Sequence, residues 1–407
     1  MAVQTTTNLS NSITAVYKGK YLEGAARRRF YDQFAVDYTE LGADGKSMDE
    51  LMRGSSIVVP FLSEMVPGTT AISQTADVTP QSLVDTTASV TPTSRGEALL
   101  WSENLEIQVY TDYTARAYER VGANAMESIE ILAEDAWLAG TWVERAAARS
   151  SLDAGTASHR ASDSVFRKYE GMFQTLNVPG FVGDDGSDNT WGAAMHPFVF
   201  HDISESGNVD VIGQYMDKGI HLNMELASIG PFRLIVDRQA KVMAGAGATN
   251  ATSFVDGVGT ASAALATTLV CDSTATNAAY GLFLMVGTPE TSTTFYSYRN
   301  ERFKYLSGSS ATITLLGSAP NGGLRWAHAV TETVNNSDSV YTILFAGPQS
   351  LVRVYATNIG PYGLVGQPKT SGLLDQFHSL GWKYYGNYGL ISQNRVMRWE
   401  GSTSYEA

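Results

Sequence analysis

A run that begins at Thr111 and ends near Ala148 carries apolar or small side chains in steps of three and four. This spacing places them on one face of an α-helix. Thr111 and Asp112 are both suitable N-cap residues, and a helix of this length would span ~50 Å at 1.5 Å per residue. The sequence therefore predicts one long helix as the spine of the fold, with an apolar face made of Tyr118, Val121, Ala125, Ile129, Leu132, Ala136, Ala139 and Val143.

The segment before this helix has the pattern of strands. "SSIVVPF" is β-branched and apolar, and "NLEIQVY" alternates Leu105, Ile107 and Val109 with polar or aromatic residues. These two stretches enclose a long polar segment that contains Pro80 and Pro92. A polar segment of this length without a core of its own is usually functional or disordered. We predict an extended β-hairpin over residues 55–110.

Beyond the helix, helix-like and strand-like segments alternate, which is typical of a mixed α+β body. "GDDGSDNTWG" is a turn cluster, and the pattern is interrupted near Ala246, where small residues dominate. Several short strand-like runs follow up to Val334, with the spacing of a small all-β unit. The block 246–336 is therefore predicted to be an insertion.

An aromatic stretch, "LGWKYYGNYGLISQNRVMRWE", runs from Leu380 to Glu400. Alternate positions place Trp382, Tyr384 and Tyr388 on one face of a strand. A base-stacking platform for single strands would need a basic groove beside it, and this stretch contains few cations. A half-buried sheet face explains the pattern with fewer assumptions.

Composition restricts the classes of function. The net charge is -13, with an isoelectric point near 4.9, which argues against a broad basic surface that grips nucleic acid. The single cysteine, Cys271, excludes an intrachain disulfide framework and a cysteine-based zinc cluster. The N-terminus lacks the pattern of a signal peptide, and no apolar run approaches the ~20 residues that cross a bilayer. These features predict a soluble protein made inside the cell.

Short motifs that resemble catalytic or metal sites do not meet their requirements. Gly45-Lys46-Ser47 lacks the first glycine of a phosphate-binding loop, because position 40 is Glu40. His196 and His201 are five residues apart, whereas a zinc-protease helix needs four. We predict no catalytic, cofactor-binding or metal-binding residues, including among Asp184, Asp185, Asp188, His159, His221, His328 and His378.

The order of these features resembles a known family. It is carried by "NLEIQVYTDYTARAYE", "MHPFVFHDI", "LASIGPFRLIVDRQAKVMAGAG" and "LGWKYYGNYGLISQNRVMRWE". It is similar to the major capsid proteins of tailed bacteriophages with the Hong Kong 97-type fold, and most similar to the N-four-like podovirus family. Outside the block 246–336, the resemblance covers most of the chain.

The resemblance implies an α+β Hong Kong 97-like capsid fold. Its parts are an N-terminal arm, a long β-hairpin (E-loop), a long spine helix, an axial α+β domain and an inserted small all-β domain. The expected boundaries are 1–54 for the arm, 55–110 for the E-loop, 111–195 for the spine helix and peripheral domain, 196–245 and 337–380 for the two parts of the axial domain, 246–336 for the insertion, and 381–407 for C-terminal peripheral-domain strands.

The resemblance also implies a function. The chain would be a major capsid protein that self-assembles, without covalent cross-links, into homo-pentamers and homo-hexamers of an icosahedral shell around double-stranded DNA. Its expected partners are copies of itself, scaffolding, portal and possible decoration proteins, and packaged DNA held by weak contacts at the inner face; no membrane is involved. Arg27 to Arg29 would be a basic exception on the inner side, although the residues alone favour a solvated or intersubunit salt-bridging cluster. The expected location is the virion capsid, after assembly in the host bacterial cytoplasm.

Two alternatives remain open. Within the same fold, the chain could form an encapsulin-like nanocompartment that stores protein cargo. From another class, a secreted adhesin or glycan-binding protein would suit the content of threonine, serine and glycine.

Overall fold

The computed structural model describes a large part of the chain. The described residues are 30–37, 57–62, 65, 80, 82–108, 112–148, 151–181, 190–205, 210–211, 225–237, 240–243, 255–262, 266, 268–271, 283–287, 301–309, 312–315, 324, 327–330, 332–335, 339–356, 360, 363–366, 369–371 and 376–406.

Helices are few and strands are many in these ranges. The helices are α1 (Glu103–Gln108), α2 (Tyr113–Leu138), α3 (Asp163–Thr175) and α4 (Pro197–Glu205). The strands of the first part of the chain are β1 (Ala35–Asp37), β2 (Ile57–Leu62), β3 (Asp85–Val90), β4 (Thr93–Ser102), β5 (Val143–Arg145), β6 (Trp191–Met195), β7 (Asp210–Val211), β8 (Glu225–Ile229) and β9 (Phe232–Val236). Those that follow are β10 (Val255–Thr260), β11 (Thr268–Cys271), β12 (Phe283–Gly287), β13 (Glu301–Ser309), β14 (Thr312–Leu315), β15 (Thr333–Asn335), β16 (Tyr341–Ala346), β17 (Leu351–Tyr355), β18 (Leu364–Val365), β19 (Lys369–Ser371), β20 (Phe377–Leu390) and β21 (Val396–Gly401). No described helix is both long enough and apolar enough to cross a bilayer.

The chain divides into two compact units. The first comprises Met1–Ala139 and Gln349–Ser392, and the second comprises Gly140–Pro348 and Gln393–Ala407. The chain therefore changes unit after Ala139, after Pro348 and after Ser392. The two units are defined by the contacts within each of them. The division into seven parts that the sequence predicts stays a prediction.

The first unit is built on the long strand β20. One edge of β20 pairs antiparallel with β4, from Phe377 opposite Ser102 to Gly386 opposite Thr93. Its other edge pairs with β17, β18 and β19, and β1 adds to β17 in parallel. Helix α2 packs on this sheet, where the indole Nε1 of Trp382 donates to Asn124 Oδ1 at 2.8 Å.

The aromatic stretch behaves as the alternation predicted over β20. Trp382, Tyr384 and Tyr388 are buried, and Lys383 between the first two is exposed. The interpretation as a half-buried sheet face is confirmed. Trp399, at the far end of the stretch, is buried on β21 in the second unit, so the aromatic residues serve two different cores.

Helix α2 begins where the sequence predicts. The carboxylate of Asp112 accepts a hydrogen bond from the Ala115 N–H at 3.0 Å and caps the helix. The helix ends at Leu138 after 26 residues, ~39 Å, which is shorter than predicted. After Ile129 the buried apolar positions are Ala133, Trp137 and Leu138, not the predicted Leu132 and Ala136, so the buried face departs from the prediction by one residue.

Two predictions for the segment before this helix are wrong. Residues 104–108 of "NLEIQVY" do not form the second strand of the hairpin, because Glu103–Gln108 is helical and the partner of β2 is β3; Val109 and Tyr110 lie outside the described residues. The Leu105 N–H donates to Ser102 Oγ at 3.4 Å, an N-cap contact, and Glu103 suits the first turn of a helix. The threonine-rich segment read as a polar connection instead supplies β3 and β4, since threonine is β-branched and fits strands.

The second unit contains a seven-stranded mixed sheet in the order β5-β21-β16-β6-β9-β8-β7. Its central strands β16 and β6 are buried at every position, as expected for strands covered on both faces. Aromatic residues of α3 fill the core beside them: Tyr169 stacks on Phe345 with ring centroids 4.3 Å apart and donates its hydroxyl to the Arg398 carbonyl at 3.0 Å. Helix α4 begins at Pro197, as "MHPFVFHDI" predicts.

The inserted small all-β domain is a closed six-stranded barrel in the order β10-β11-β14-β13-β12-β15. Closure leaves the barrel without free sheet edges. Its small core consists of Val258, Leu269, Cys271, Val286, Ile313, Leu315, Leu324 and Val334. Cys271 is a buried free thiol in this core and acts as a small apolar side chain.

Candidate assembly surfaces

The residues that sequence motifs drew attention to do not come together as a reactive site in the described part of the chain. Gly45-Lys46-Ser47, Asp184, Asp185, Asp188, His221 and Arg27 to Arg29 lie outside the described residues. Among described residues, no group of three or more histidine, cysteine, aspartate or glutamate side chains is arranged to hold a metal ion.

Histidines His196 and His201 make packing contacts. The Nδ1 atom of His196 accepts the Phe198 N–H at 3.2 Å, and its ring packs near Tyr341. The ring of His201 meets Tyr405 edge-on, with centroids 4.8 Å apart. Both histidines therefore help to hold the start and surface of α4.

The hairpin of β2 and β3 is the first surface with the properties of a contact region. Its six residue pairs run from Ile57 opposite Val90 to Leu62 opposite Asp85, and within the described strands the two pair only with each other. A two-stranded hairpin is at best marginally stable alone in water. Val58 on β2 and Val84, which directly precedes β3, are both exposed, so apolar surface is available to another protein.

The base of this hairpin is fixed to the first unit. Val90 is buried, and its side chain packs directly over Gly389 on β20. A Cβ atom at Gly389 would lie only 2.3 Å from the Cγ2 atom of Val90, so a larger residue at this position would collide with it. Next to it, the Asn387 side chain donates to the Thr91 carbonyl at 3.0 Å. The hairpin therefore leaves the sheet from a defined anchor.

Four exposed apolar side chains lie at or beside the opposite end of β4, and we call this set the end patch: Leu100, Leu105, Ile107 and Phe377. Leu100 and Phe377 share a face of the sheet, because Ser102 stands opposite Phe377 and Leu100 lies two residues from Ser102. Ile107 is 74% exposed and Leu100 is 63% exposed. Exposed apolar side chains that share one face, as Leu100 and Phe377 do, are typical of interaction sites.

The other face at this end of the sheet is well packed. Trp101 is buried, stacks on His378 at 5.9 Å and meets Tyr113 edge-on at 5.5 Å. The end patch is therefore one side of an ordered element whose opposite side belongs to the core.

Residues 30–37 are anchored to the first unit by charge and by aromatic packing. Arg353 on β17 forms ion pairs with Asp32 and Asp37, with its Nε atom 2.5 Å from Asp37 Oδ1. Tyr388 donates its hydroxyl to Asp32 Oδ1 at 2.9 Å. Tyr31 is buried against Trp137, so this part of the predicted N-terminal arm contributes to the core.

Electrostatics at this anchor follow from its burial. Burial lowers the pKa of Arg353, but hydrogen bonding to Asp37 and the charge of Asp32 raise it more, and the pKa ends above its usual range. Burial and then the charge of Asp32 raise the pKa of Tyr388 well above its ordinary value. Arg353 therefore remains charged and Tyr388 remains a hydroxyl donor across the physiological range. The sequence offered no signal for this cluster, because Asp32 and Arg353 are 321 residues apart.

Comparisons with known proteins find similarity among solved structures. No protein-family model and no curated protein matches this chain. Among solved structures, the capsid of Ralstonia phage GP4 aligns over 93% of this chain and 92% of its own chain, with 11% identity and a TM-score of 0.54. The capsid of cyanophage Pam1 aligns over 91% and 89%, with 11% identity and a TM-score of 0.49. The SrpI encapsulin of Synechococcus elongatus aligns over 79% and 78%, with 8% identity and a TM-score of 0.37.

At 11% identity, the likeness to the Ralstonia phage GP4 capsid shows the fold. The predicted fold class, an α+β Hong Kong 97-like fold with an inserted small all-β domain, is confirmed. The narrower resemblance to N-four-like podoviruses stays a prediction.

Proposed function

We propose that this chain is the major capsid protein of a tailed double-stranded DNA bacteriophage and has a structural, non-enzymatic role. The observation that carries the proposal is a fold shared with a phage capsid over more than nine tenths of both chains. Copies of the chain would form pentamers and hexamers of an icosahedral shell, assembled in the host cytoplasm.

Two surfaces of the first unit support assembly. The hairpin of β2 and β3 exposes Val58 and Val84, and the end patch exposes Ile107 and Leu100. Different surfaces of one protomer that meet on successive copies form heterologous contacts, which generate closed rings. In this proposal the hairpin lies over a neighbouring copy, where its apolar side chains become buried.

The charge of the chain suits a container. A net charge of -13 gives a wall that repels packed phosphates more than it binds them. Contacts with DNA would be weak and local, and Arg27 to Arg29 are the proposed basic exception. Scaffolding, portal and decoration proteins are proposed as further partners.

Electron microscopy of the purified recombinant protein, with size-exclusion chromatography of the same sample, tests the proposal. Shells, tubes, or five- and six-membered rings are the expected result. Particles that enclose protein cargo in place of DNA, when made in cells, would favour the encapsulin-like alternative. A monomer that stays dispersed in the presence of a scaffolding protein and binds glycans would contradict the proposal and favour an adhesin.

A further inference from the structure

One histidine in the barrel lies between two carboxylates. The Nε2 atom of His328 is 2.7 Å from Glu301 Oε1, and its Nδ1 atom contacts Glu332 Oε2. The side chain of His328 is 0% exposed, and those of Glu301 and Glu332 are largely covered. The backbone of His328 is fixed as well, since its N–H donates to the Ser262 carbonyl at 3.0 Å and its carbonyl accepts the Ser262 N–H at 2.9 Å.

The chemistry of the imidazole ring limits what this arrangement can be. A neutral ring has one N–H donor and one acceptor nitrogen, whereas the charged ring has two donors. Ionised carboxylates only accept hydrogen bonds, so a carboxylate at each nitrogen is satisfied by the charged ring and only half satisfied by the neutral one. Loss of the proton would leave one buried acceptor without its donor and two negative charges without their cation.

The triad joins separate parts of the barrel. Glu301 is the first residue of β13, and Glu332 immediately precedes β15. These strands lie on the two sides of β12, where Val286 stands opposite both Glu301 and Val334. His328 therefore ties together the ends of two strands that share no backbone hydrogen bonds with each other.

We propose that His328 is a proton-dependent clamp of the barrel, which holds the ends of β13 and β15 together when the ring is charged and releases them when it is neutral. The proposal concerns the barrel alone and does not depend on capsid assembly. It gives the inserted domain a built-in response to pH.

The direction of the response follows from the groups that face the ring. Burial lowers the pKa of His328, but the hydrogen bonds and charges of Glu301 and Glu332 raise it more, so the pKa lies above its ordinary value. In the described part of the chain, these two glutamates are the charged groups that act on the ring. Because folding raises the pKa of His328, the charged ring stabilises the barrel fully at pH values below its pKa in the unfolded chain, about 6.5. This stabilisation is lost as the pH rises through the pKa of His328 in the folded barrel.

Hydrogen exchange measured by mass spectrometry on the full-length protein tests the clamp. Peptides that cover β13 and β15 would be compared from about pH 6 to about pH 9, with rates corrected for the intrinsic dependence of exchange on pH. Each unit by which folding raises the pKa of His328 changes the opening equilibrium about tenfold, so we expect protection to fall as pH rises, by about tenfold for each such unit. Peptides of β16 and β21 in the same sample should keep their protection.

Variants separate the clamp from general destabilisation. His328→Gln should reduce barrel protection at low pH and abolish its pH dependence, and Glu301→Gln should reduce the dependence in part. His201→Gln, at a histidine that is 43% exposed on α4, is the matched control and should leave barrel exchange unchanged.

Three results would overturn the proposal. The first is a wild-type barrel with the same corrected protection at both ends of the range. The second is His328→Gln with the wild-type pH profile. The third is His201→Gln with the effect expected of His328→Gln. If His328→Gln does not fold, the wild-type profile and Glu301→Gln decide the question.

Discussion

At the scale of single residues, the notable contacts of this structure are two clusters of buried or partly buried charged side chains, which no sequence motif indicates. Arg353, Asp32 and Asp37 form a cluster with Tyr388, and His328 lies between Glu301 and Glu332. Arg353 lies 321 residues from Asp32, and His328 lies 27 residues from Glu301, so no motif search could pair them. Glu332 is only four residues from His328, but no motif joins these two residues to Glu301. Periodicity located the strand that carries Tyr388, but not the hydrogen bond that its hydroxyl makes.

Arg353→Met is expected to destabilise the first unit by about 3–5 kcal/mol, because it leaves two partly buried carboxylates without their cation. Tyr388→Phe removes one hydrogen bond to Asp32 and should cost less, roughly 1–2 kcal/mol. Urea unfolding followed by tryptophan fluorescence measures both.

The matched control for Arg353 is Arg167, whose ion pair with Asp163 on α3 is on the surface, with the arginine side chain 73% exposed. Arg167→Met should change stability by less than about 0.5 kcal/mol. Equal effects of Arg353→Met and Arg167→Met would show that the cluster contributes no more than a surface pair.

At the scale of elements, prediction succeeded where one face of the element is buried. Helix α2 and strand β20 each carry a long apolar stripe against the same core; the alternation of β20 was predicted correctly, and the stripe of α2 was predicted correctly as far as Ile129. The alternation in "NLEIQVY" gave a wrong prediction because Leu105 and Ile107 are exposed. Their spacing therefore does not reflect packing against the core of this chain. Strands β3 and β4 were missed because their sequences lack an apolar period, and most residues of β4 are exposed.

Gly389→Ala is expected to displace the hairpin and destabilise the first unit by about 1–3 kcal/mol, since the new Cβ atom would lie 2.3 Å from Val90 Cγ2. The double variant Gly389→Ala, Val90→Ala should recover part of the loss, because it removes the atom that collides. Thermal unfolding and hydrogen exchange of the hairpin peptides measure both effects.

Gly171→Ala is the control for this substitution. Gly171 lies inside helix α3, where an added Cβ atom meets nothing within 4 Å, so alanine should stabilise by about 0.5–1 kcal/mol. If Gly389→Ala is as well tolerated as Gly171→Ala, the hairpin is not anchored through Val90.

At the scale of the whole molecule, charge and exposed apolar surface set the conditions under which the proposed shell would assemble. The chain carries a net charge of -13, and copies that approach one another repel. The fold class could be predicted because it depends on the order of elements. The surfaces that meet between copies could not be predicted, because an exposed apolar residue does not pack against the core of its own chain. Its position therefore does not follow the period of a helix or strand.

Salt is expected to promote assembly of the proposed shell. Raising ionic strength from about 0.01 M to about 0.15 M shortens the Debye length from roughly 30 Å to roughly 8 Å and screens repulsion between acidic copies. Light scattering at a series of protein concentrations should give a lower threshold for assembly at the higher salt. A higher threshold would mean that attraction between opposite charges dominates the contacts.

The end patch is expected to serve assembly and not folding. Ile107 is 74% exposed, so Ile107→Ser should change the stability of the monomer by less than about 0.5 kcal/mol. If a neighbouring copy covers this side chain, the same substitution removes apolar area from the contact and should raise the assembly threshold severalfold, at roughly 25 cal/mol per Å².

Val330→Ser, at an exposed valine of the second unit, is the control for the loss of surface apolarity in general and should leave the threshold unchanged. Equal thresholds for Ile107→Ser and the wild type would exclude Ile107 from the contacts between copies, because an isoleucine covered by a neighbour cannot be replaced by serine without cost. Loss of folding in Ile107→Ser would contradict the expectation that this side chain does not serve folding.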